Sequence, residues 1–228
     1  MNEKHRIEGV VFDLDGTLYS LRGRQLRMTL ALWRWKDLRV LRHLLGTRTW
    51  IRSKSYTDRK AFYAAFCEEL GRRAGISPPE AGKWYENRFL GSFVNMLAKR
   101  ARVRPGLLAL LARLRQNGAK LAVVSDYGYV RERLDALNIP IDAFDQLCSS
   151  EDYGVLKPSP RPLTALAEEW GLNPKCIVMI GDRKDLDQAS ATAAGVNFLG
   201  ISDRSRREKE GFVRWREAVT FLEDRTNF

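Results

Sequence analysis

The sequence of 228 residues predicts an α/β fold, an open parallel sheet sandwiched by helices. Three observations predict it. The apolar runs at residues 7–12, 120–124 and 176–180 are continuous instead of alternating, as strands buried on both faces require. Stretches of helical period separate them, the order in which crossover helices connect parallel strands. Each run also stops on small or acidic residues: Asp13-Leu14-Asp15-Gly16, Ser125-Asp126 and Gly181-Asp182. In open α/β sheets that carboxyl end of the strands is where ligands bind.

In chain order, residues 7–12 read as a strand that ends at the paired aspartates. From residue 19 to about 100 the pattern is helical, with stretches at 24–45, 58–74 and 79–99 and no strand signal between them. Ser77-Pro78-Pro79-Glu80 stops one helix and starts the next. After Arg104-Pro105-Gly106 strands and helices alternate: a helix over 107–116 closed by Asn117-Gly118, a strand at 120–124, a helix from about 129 to 137 and a short strand near 146–148. A helix over 160–170, a strand at 176–180, a helix over 186–194 and a strand at 196–199 complete the pattern. The expected organisation is a catalytic α/β core of residues 1–18 and 101–228, with 19–100 as an all-helical insertion.

A hydrophobic content of 44% is ordinary for a globular chain. No apolar stretch reaches membrane-spanning length and the N-terminus leads directly into a strand, so a cytoplasmic protein is expected. Cys67, Cys148 and Cys176 are odd in number and form no C-x-x-C pair, which argues against a disulfide framework or a zinc site. The net charge of +11 is concentrated: residues 22–60 hold twelve Lys and Arg against Asp37 and Asp58. On a helical wheel Leu26, Leu30, Trp33, Val40, Leu41 and Leu44 share one face of this segment, and Arg24, Arg27, Arg34, Arg39 and Arg42 occupy the rest with Met28 and Trp35. A packed helix with a solvated basic side accounts for this. So does a basic amphipathic surface at an anionic membrane or lipid phosphate, which would make the protein peripheral to the membrane. Nucleic acid ranks below both, because no dedicated recognition module is present.

Asp13 and Asp15 carry the chemistry. Residues two apart in a strand point the same way, so both carboxylates can address one point as the strand opens into a loop. One can attack phosphorus and form a covalent intermediate; the other can protonate the departing oxygen and later deprotonate water. Like charges about 4 Å apart repel by roughly 4 kcal/mol at an effective dielectric near 20, which a divalent cation relieves. Gly16 permits a backbone conformation that a Cβ would resist.

Asp13-Leu14-Asp15-Gly16-Thr17, Ser125, Lys157-Pro158 and Gly181-Asp182 with Asp187 resemble, in order, the four motifs of the haloacid dehalogenase superfamily, whose members are mostly magnesium-dependent phosphohydrolases. The resemblance implies a Rossmann-like core with a helical cap inserted after the first strand. It implies Asp13 as nucleophile and Asp15 as general acid and base. Thr17 would order the loop, while Ser125 with the neighbouring Asp126 and Lys157 would hold the phosphoryl group. For Mg2+, which favours oxygen ligands, it implies Asp13, the backbone carbonyl of Asp15, Asp182 and Asp187, with Asp185 a competitor of Asp187. Arg183 and Lys184 depart from the small or polar residues of many relatives; their charge suits an anionic substrate, and equally a solvated surface.

The second carboxylate, Asp15, narrows the reaction. A halide leaves without a proton, and dehalogenases of the superfamily lack an acid at that position, so phosphoryl transfer to water from a small phosphorylated substrate is expected. A phosphomutase keeps the same acid and is the alternative enzyme. A binding protein that docks its basic insertion on anionic membranes is the alternative outside enzymes.

Overall fold

A computed structural model describes residues 6–20, 35–203 and 211–226. Its five-stranded sheet runs in the order β5-β4-β1-β6-β7, with β1 Gly9–Phe12, β4 Lys120–Ser125, β5 Gln146–Ser149, β6 Ile177–Gly181 and β7 Asn197–Gly200. Every pairing in it is parallel. The chain moves outward from β1 through β4 to β5, then returns to β6 on the other side. β1 and β6 therefore flank the switch point at which such sheets open a crevice.

Both faces of the sheet are covered, which explains the continuous apolar runs. Val10, Phe12, Leu121, Val123, Val178 and Ile180 pack against α5 (Leu107–Gln116), α6 (Val130–Ala136) and α9 (Trp215–Thr226). Val11, Ala122, Val124, Ile177 and Met179 face α7 (Arg161–Trp170) and α8 (Ala189–Ala193). The sequence pattern did not predict α9, although Trp215, Ala218 and Leu222 sit at helical spacing and are buried.

Between the first strand and the rest of the sheet lies the helical insertion: α1 Trp35–Arg52, α2 Arg59–Ala74, then a continuous helical run of α3 Pro78–Lys83, wider π-type turns at Trp84–Leu90 and α4 Gly91–Arg100. Its helices share a hydrophobic cluster in which Val40, Leu44 and Ile51 of α1 meet Phe62, Phe66 and Leu70 of α2 and Trp84, Tyr85 and Leu90 of the third run, joined by Leu156 from beyond the insertion. Asp58 caps α2 by accepting from Ala61 N, and Gly75 closes it in the left-handed region at φ +65°.

The expectation of helix from residue 19 is corrected at its edges. Tyr19–Ser20 (β2) pairs antiparallel with Arg102–Val103 (β3), where the chain leaves and re-enters the core. Two residues are too few to register as a period of two. The stretch 24–34 lies outside the described residues, and with it Leu26, Leu30, Trp33, Arg24, Arg27 and Arg34 of the amphipathic face. In the described remainder Val40 and Leu44 are buried while Arg39 and Arg42 are exposed, as a packed helix requires. No described helix is long and apolar enough to cross a membrane, and nothing described supports a lipid partner.

Candidate active site

Asp13 leaves β1 with its amide hydrogen-bonded to the Ile180 carbonyl of β6, at 2.9 Å, so the loop of residues 13–18 starts at the switch point. Gly16 sits at φ +90°, and a Cβ there would lie 2.6 Å from Asp182 Oδ2. Both the backbone and the neighbouring acid thus demand glycine. Buried Arg104, just after β3, holds the loop from below by donating to the carbonyls of Gly16 (2.7 Å) and Thr17 (3.1 Å), and it also pairs with Asp203.

The side chains converge on one point. Thr17 Oγ1 donates to Asp13 Oδ2 at 2.9 Å, and Lys157 Nζ reaches Asp13 Oδ1 at 2.7 Å and Asp187 Oδ1 at 2.8 Å. Carboxylate oxygens of Asp13, Asp182 and Asp187 lie within 4.8 Å of one another. Asp187 is fixed by the Arg183 amide, which donates to its other oxygen at 3.0 Å. Asp185 instead turns outward to pair with the Arg183 guanidinium at 2.6 Å, so the structure brings Asp187 and not Asp185 to the cluster. Beside it lies a cavity of about 130 Å³ whose walls carry the carboxylates of Asp13, Asp15, Asp126, Asp182 and Asp187 and the cations Arg48, Arg52, Lys157 and Arg183.

The profile of the haloacid dehalogenase-like hydrolase family matches residues 7–195. The chain belongs to that family. It is 34% identical over 206 residues to a phosphoglycolate phosphatase of Rhodospirillum rubrum, an alignment that covers 88% of this chain and 82% of that one. A HAD phosphatase from Thermococcus onnurineus superimposes with a TM-score of 0.57 at 20% identity, covering 95% of this chain and 98% of that one. A 2-haloacid dehalogenase from Pseudomonas syringae pv. Tomato superimposes at 0.56 with 21% identity, covering 88% and 91%. At such identities the structural likeness concerns the fold alone, which hosts both reactions. This HAD-like hydrolase is a phosphatase acting on phosphoric monoesters.

The electrostatics of the cluster follow from its burial. Burial pushes the Asp13 carboxyl well above the usual carboxylate range; the Lys157 ammonium opposes this, while the charges of Asp187 and Asp15 add to it. Burial alone would lower the Lys157 pKa, but Asp13 and Asp187 overcome it and hold the ammonium charged. Three close carboxylates and one ammonium leave net negative charge among hard oxygen donors. That donor set fits a small divalent cation, which would lower the cost of keeping all three ionised.

Ser125 and Asp126 occupy positions that their sequence context did not specify. Ser125 is fully buried; its Oγ accepts from Tyr127 N at 3.2 Å and contacts Asp15 Oδ2 at 3.3 Å. The Asp126 carboxylate accepts the Lys157 amide at 2.8 Å, so it places the lysine whose Nζ meets Asp13.

Two arginines counted at first only as surface charge turn inward. Arg52 donates from Nε to the Lys157 carbonyl at 2.9 Å and reaches Asp126 Oδ2 at 3.4 Å. Arg48, 2% exposed, donates to the Asp126 carbonyl at 2.6 Å and to Glu151 at 3.1 Å, with Tyr85 Oη bridging to the same Glu151 oxygen at 2.8 Å. Their i, i+4 spacing on α1 was the legible signal that both share a face. Of the cysteines, Cys67 is buried and its thiol is pushed up to about 11, mainly by desolvation, which makes it unreactive at neutral pH.

Proposed function

We propose that this chain is a magnesium-dependent phosphatase that hydrolyses a small, carboxylate-bearing phosphate monoester through an aspartyl phosphate on Asp13. The observation that carries this reading is the bridge of Lys157 Nζ between Asp13 and Asp187 beside Asp182, a nucleophile and an acidic cation site sharing one fixed ammonium. In the first step Asp13 attacks phosphorus and the P–O bond to the leaving alcohol breaks, with Asp15 supplying the proton that alcohol needs. In the second, Asp15 takes a proton from water as the oxygen attacks the aspartyl phosphate, freeing Asp13. Lys157 stabilises charge on the equatorial oxygens, and Thr17 fixes the nucleophile's orientation. Asp13, the Asp15 carbonyl, Asp182 and Asp187 would hold Mg2+, which when bound supplies charge neutralisation for the transferring group.

Substrate size follows from the cavity. About 130 Å³ is well below the 300–1,000 Å³ usual for larger ligands, so the space beside the carboxylates suits a phosphoryl group on a short chain. Arg52 and Arg183, both on the wall, suit a second anionic group on such a molecule. The Rhodospirillum rubrum relative's name agrees with phosphoglycolate as that molecule. Residues 19–100 would then act as a cap over a core of residues 1–18 and 101–228. The test is phosphate release from phosphoglycolate against a panel of phosphomonoesters including prenyl phosphates, with and without Mg2+. Asp13→Asn should abolish turnover with the circular dichroism spectrum unchanged. Retained turnover by this variant, or equal activity in EDTA, would overturn the mechanism.

A further inference from the structure

The Asp15 carboxylate is held by a group that no sequence motif announced. Arg133, in the first turns of α6, is completely buried. One of its terminal nitrogens donates to Asp15 Oδ2 at 2.8 Å and to Ser125 Oγ at 3.1 Å. The other reaches Ser125 Oγ at 3.2 Å and the carbonyls of Tyr127 (3.1 Å) and Gly128 (3.3 Å). The ring of Phe93, from α4 of the insertion, lies 5.1 Å from its central carbon. Nε is buried with no hydrogen-bond partner. Tyr19 donates its hydroxyl to the other Asp15 oxygen.

Burying a guanidinium with one N–H unsatisfied is unfavourable, and a helix of this kind needs no charge at such a position to pack. What the arrangement accomplishes is control of one carboxylate. An ionised carboxylate offers about four acceptor directions. Arg133, Tyr19 and Ser125 occupy three of them; the fourth is where the protonated acid carries the proton it gives the departing alcohol and where the carboxylate afterwards takes one from water. Asp15 lines the cavity and its side chain is 27% exposed, so that remaining direction is reachable.

We propose that Arg133 is a positioning residue for Asp15, which with Tyr19 as second anchor fixes the rotamer in which the acid meets the departing oxygen. The inference rests on the reading of Asp15 as general acid. Arg133 itself touches neither substrate nor reacting atoms. Its fork geometry matters, because a single-point cation cannot bond a carboxylate, a hydroxyl and two carbonyls at once.

The test uses leaving groups. In kcat/KM, which reports steps through alcohol release, p-nitrophenyl phosphate needs little proton donation, whereas phosphoglycolate and ethyl phosphate leave as basic alkoxides. Loss of a positioned acid therefore falls on the alkyl esters. Arg133→Met should lower kcat/KM for the alkyl esters by about 10²-fold, with a loss at least about tenfold smaller for p-nitrophenyl phosphate. Tyr19→Phe, which keeps the ring in the core, should show the same selectivity, and Arg133→Lys should recover part of the loss. In an Asp15→Asn background Arg133→Met should add less than about twofold on the alkyl esters, because both changes remove one function.

A purely structural Arg133, holding the turn before α6, predicts equal losses on both ester types and full additivity with Asp15→Asn; either result overturns the proposal. Should Arg133→Met not fold, Arg133→Lys and Tyr19→Phe decide by the same selectivity. If Asp15→Asn alone loses equally on all esters, the acid role is refuted and the inference with it. If Asp15→Asn is selective and the Arg133 and Tyr19 variants are not, only the inference fails.

Discussion

Arg48→Met removes one half of a buried ion pair. Arg48 is 2% exposed and Glu151 3%, so their ion pair, 3.1 Å from nitrogen to oxygen, lies out of water. At an effective dielectric near 20, unit charges at that separation attract by about 5 kcal/mol, most of which offsets their desolvation. Burial pushes the Glu151 carboxyl up, while Arg48 and the Tyr85 hydroxyl pull it down. Removing Arg48 leaves Glu151 buried with Tyr85 as its remaining partner and removes the donor to the Asp126 carbonyl. Breaking a buried pair from one side typically costs about 3–5 kcal/mol. At roughly 2–4 °C per kcal/mol for a chain of this size, the melting temperature should fall by about 6–20 °C. Thermal unfolding followed by circular dichroism measures that fall, and urea denaturation measures the free-energy cost. The paired variant Arg48→Met with Glu151→Leu removes both charges and should recover most of the loss. A single-variant cost below about 1 kcal/mol, or a double variant no better than the single, would refute the reasoning that an uncompensated buried charge dominates.

Four further outcomes are expected. Lys157→Met should reduce kcat by about 10²-fold or more, measured by phosphate release, because Asp13 and Asp187 lose their shared ammonium; a loss under about threefold would remove Lys157 from the mechanism. Since burial and neighbouring carboxylates raise the Asp13 pKa, cation binding should displace a proton and weaken as pH falls; calorimetry in buffers of different ionisation enthalpy detects this, and pH-independent affinity between pH 5 and 8 contradicts it. Gly16→Ala should destabilise the fold by about 1–3 kcal/mol and weaken cation binding, because the φ of +90° is strained for alanine and its Cβ would crowd Asp182; a wild-type melting temperature argues otherwise. Hydrogen bonds from Arg72 above all, against burial, and then from Arg73 hold the Glu69 carboxyl down to about 2 from an ordinary 4.5. This pair therefore stabilises the fold above pH 4.5, and its contribution is lost as pH falls through about 2. Glu69→Gln should cost on the order of 1 kcal/mol at neutral pH, with the gap to wild type narrowing in acid; a constant gap in urea melts rejects the linkage.

The fold was legible wherever a residue's neighbours in the chain settle its environment. Continuous apolar runs at 120–124 and 176–180 reported strands covered on both sides, and Val11 and Phe12 do pack into opposite layers. Asn117-Gly118 and Pro78-Pro79 marked element ends, because their backbone restrictions are local. The two-residue pairing of Tyr19–Ser20 with Arg102–Val103 escaped, since its hydrogen bonds join residues about eighty positions apart and leave no periodic trace. The C-terminal helix was missed even though Trp215, Ala218 and Leu222 carried a usable spacing.

The sequence by itself determined the chemistry available: carboxylates at strand ends, a glycine directly after the first pair and a lysine before a proline, in an order that an α/β sheet gathers at the carboxyl ends of its strands. It could not determine which polar groups face each other, because side-chain pairing depends on distances set by packing. Only the tertiary structure separates Asp187, bonded to Lys157, from Asp185, turned to the surface, although both occupy the same short segment. Only it turns Arg48 and Arg52 from surface charge into walls of the cavity, and seats Arg133 against Asp15 across 118 positions of sequence. Charges are priced by burial, and burial is a property of the folded chain rather than of any residue in it.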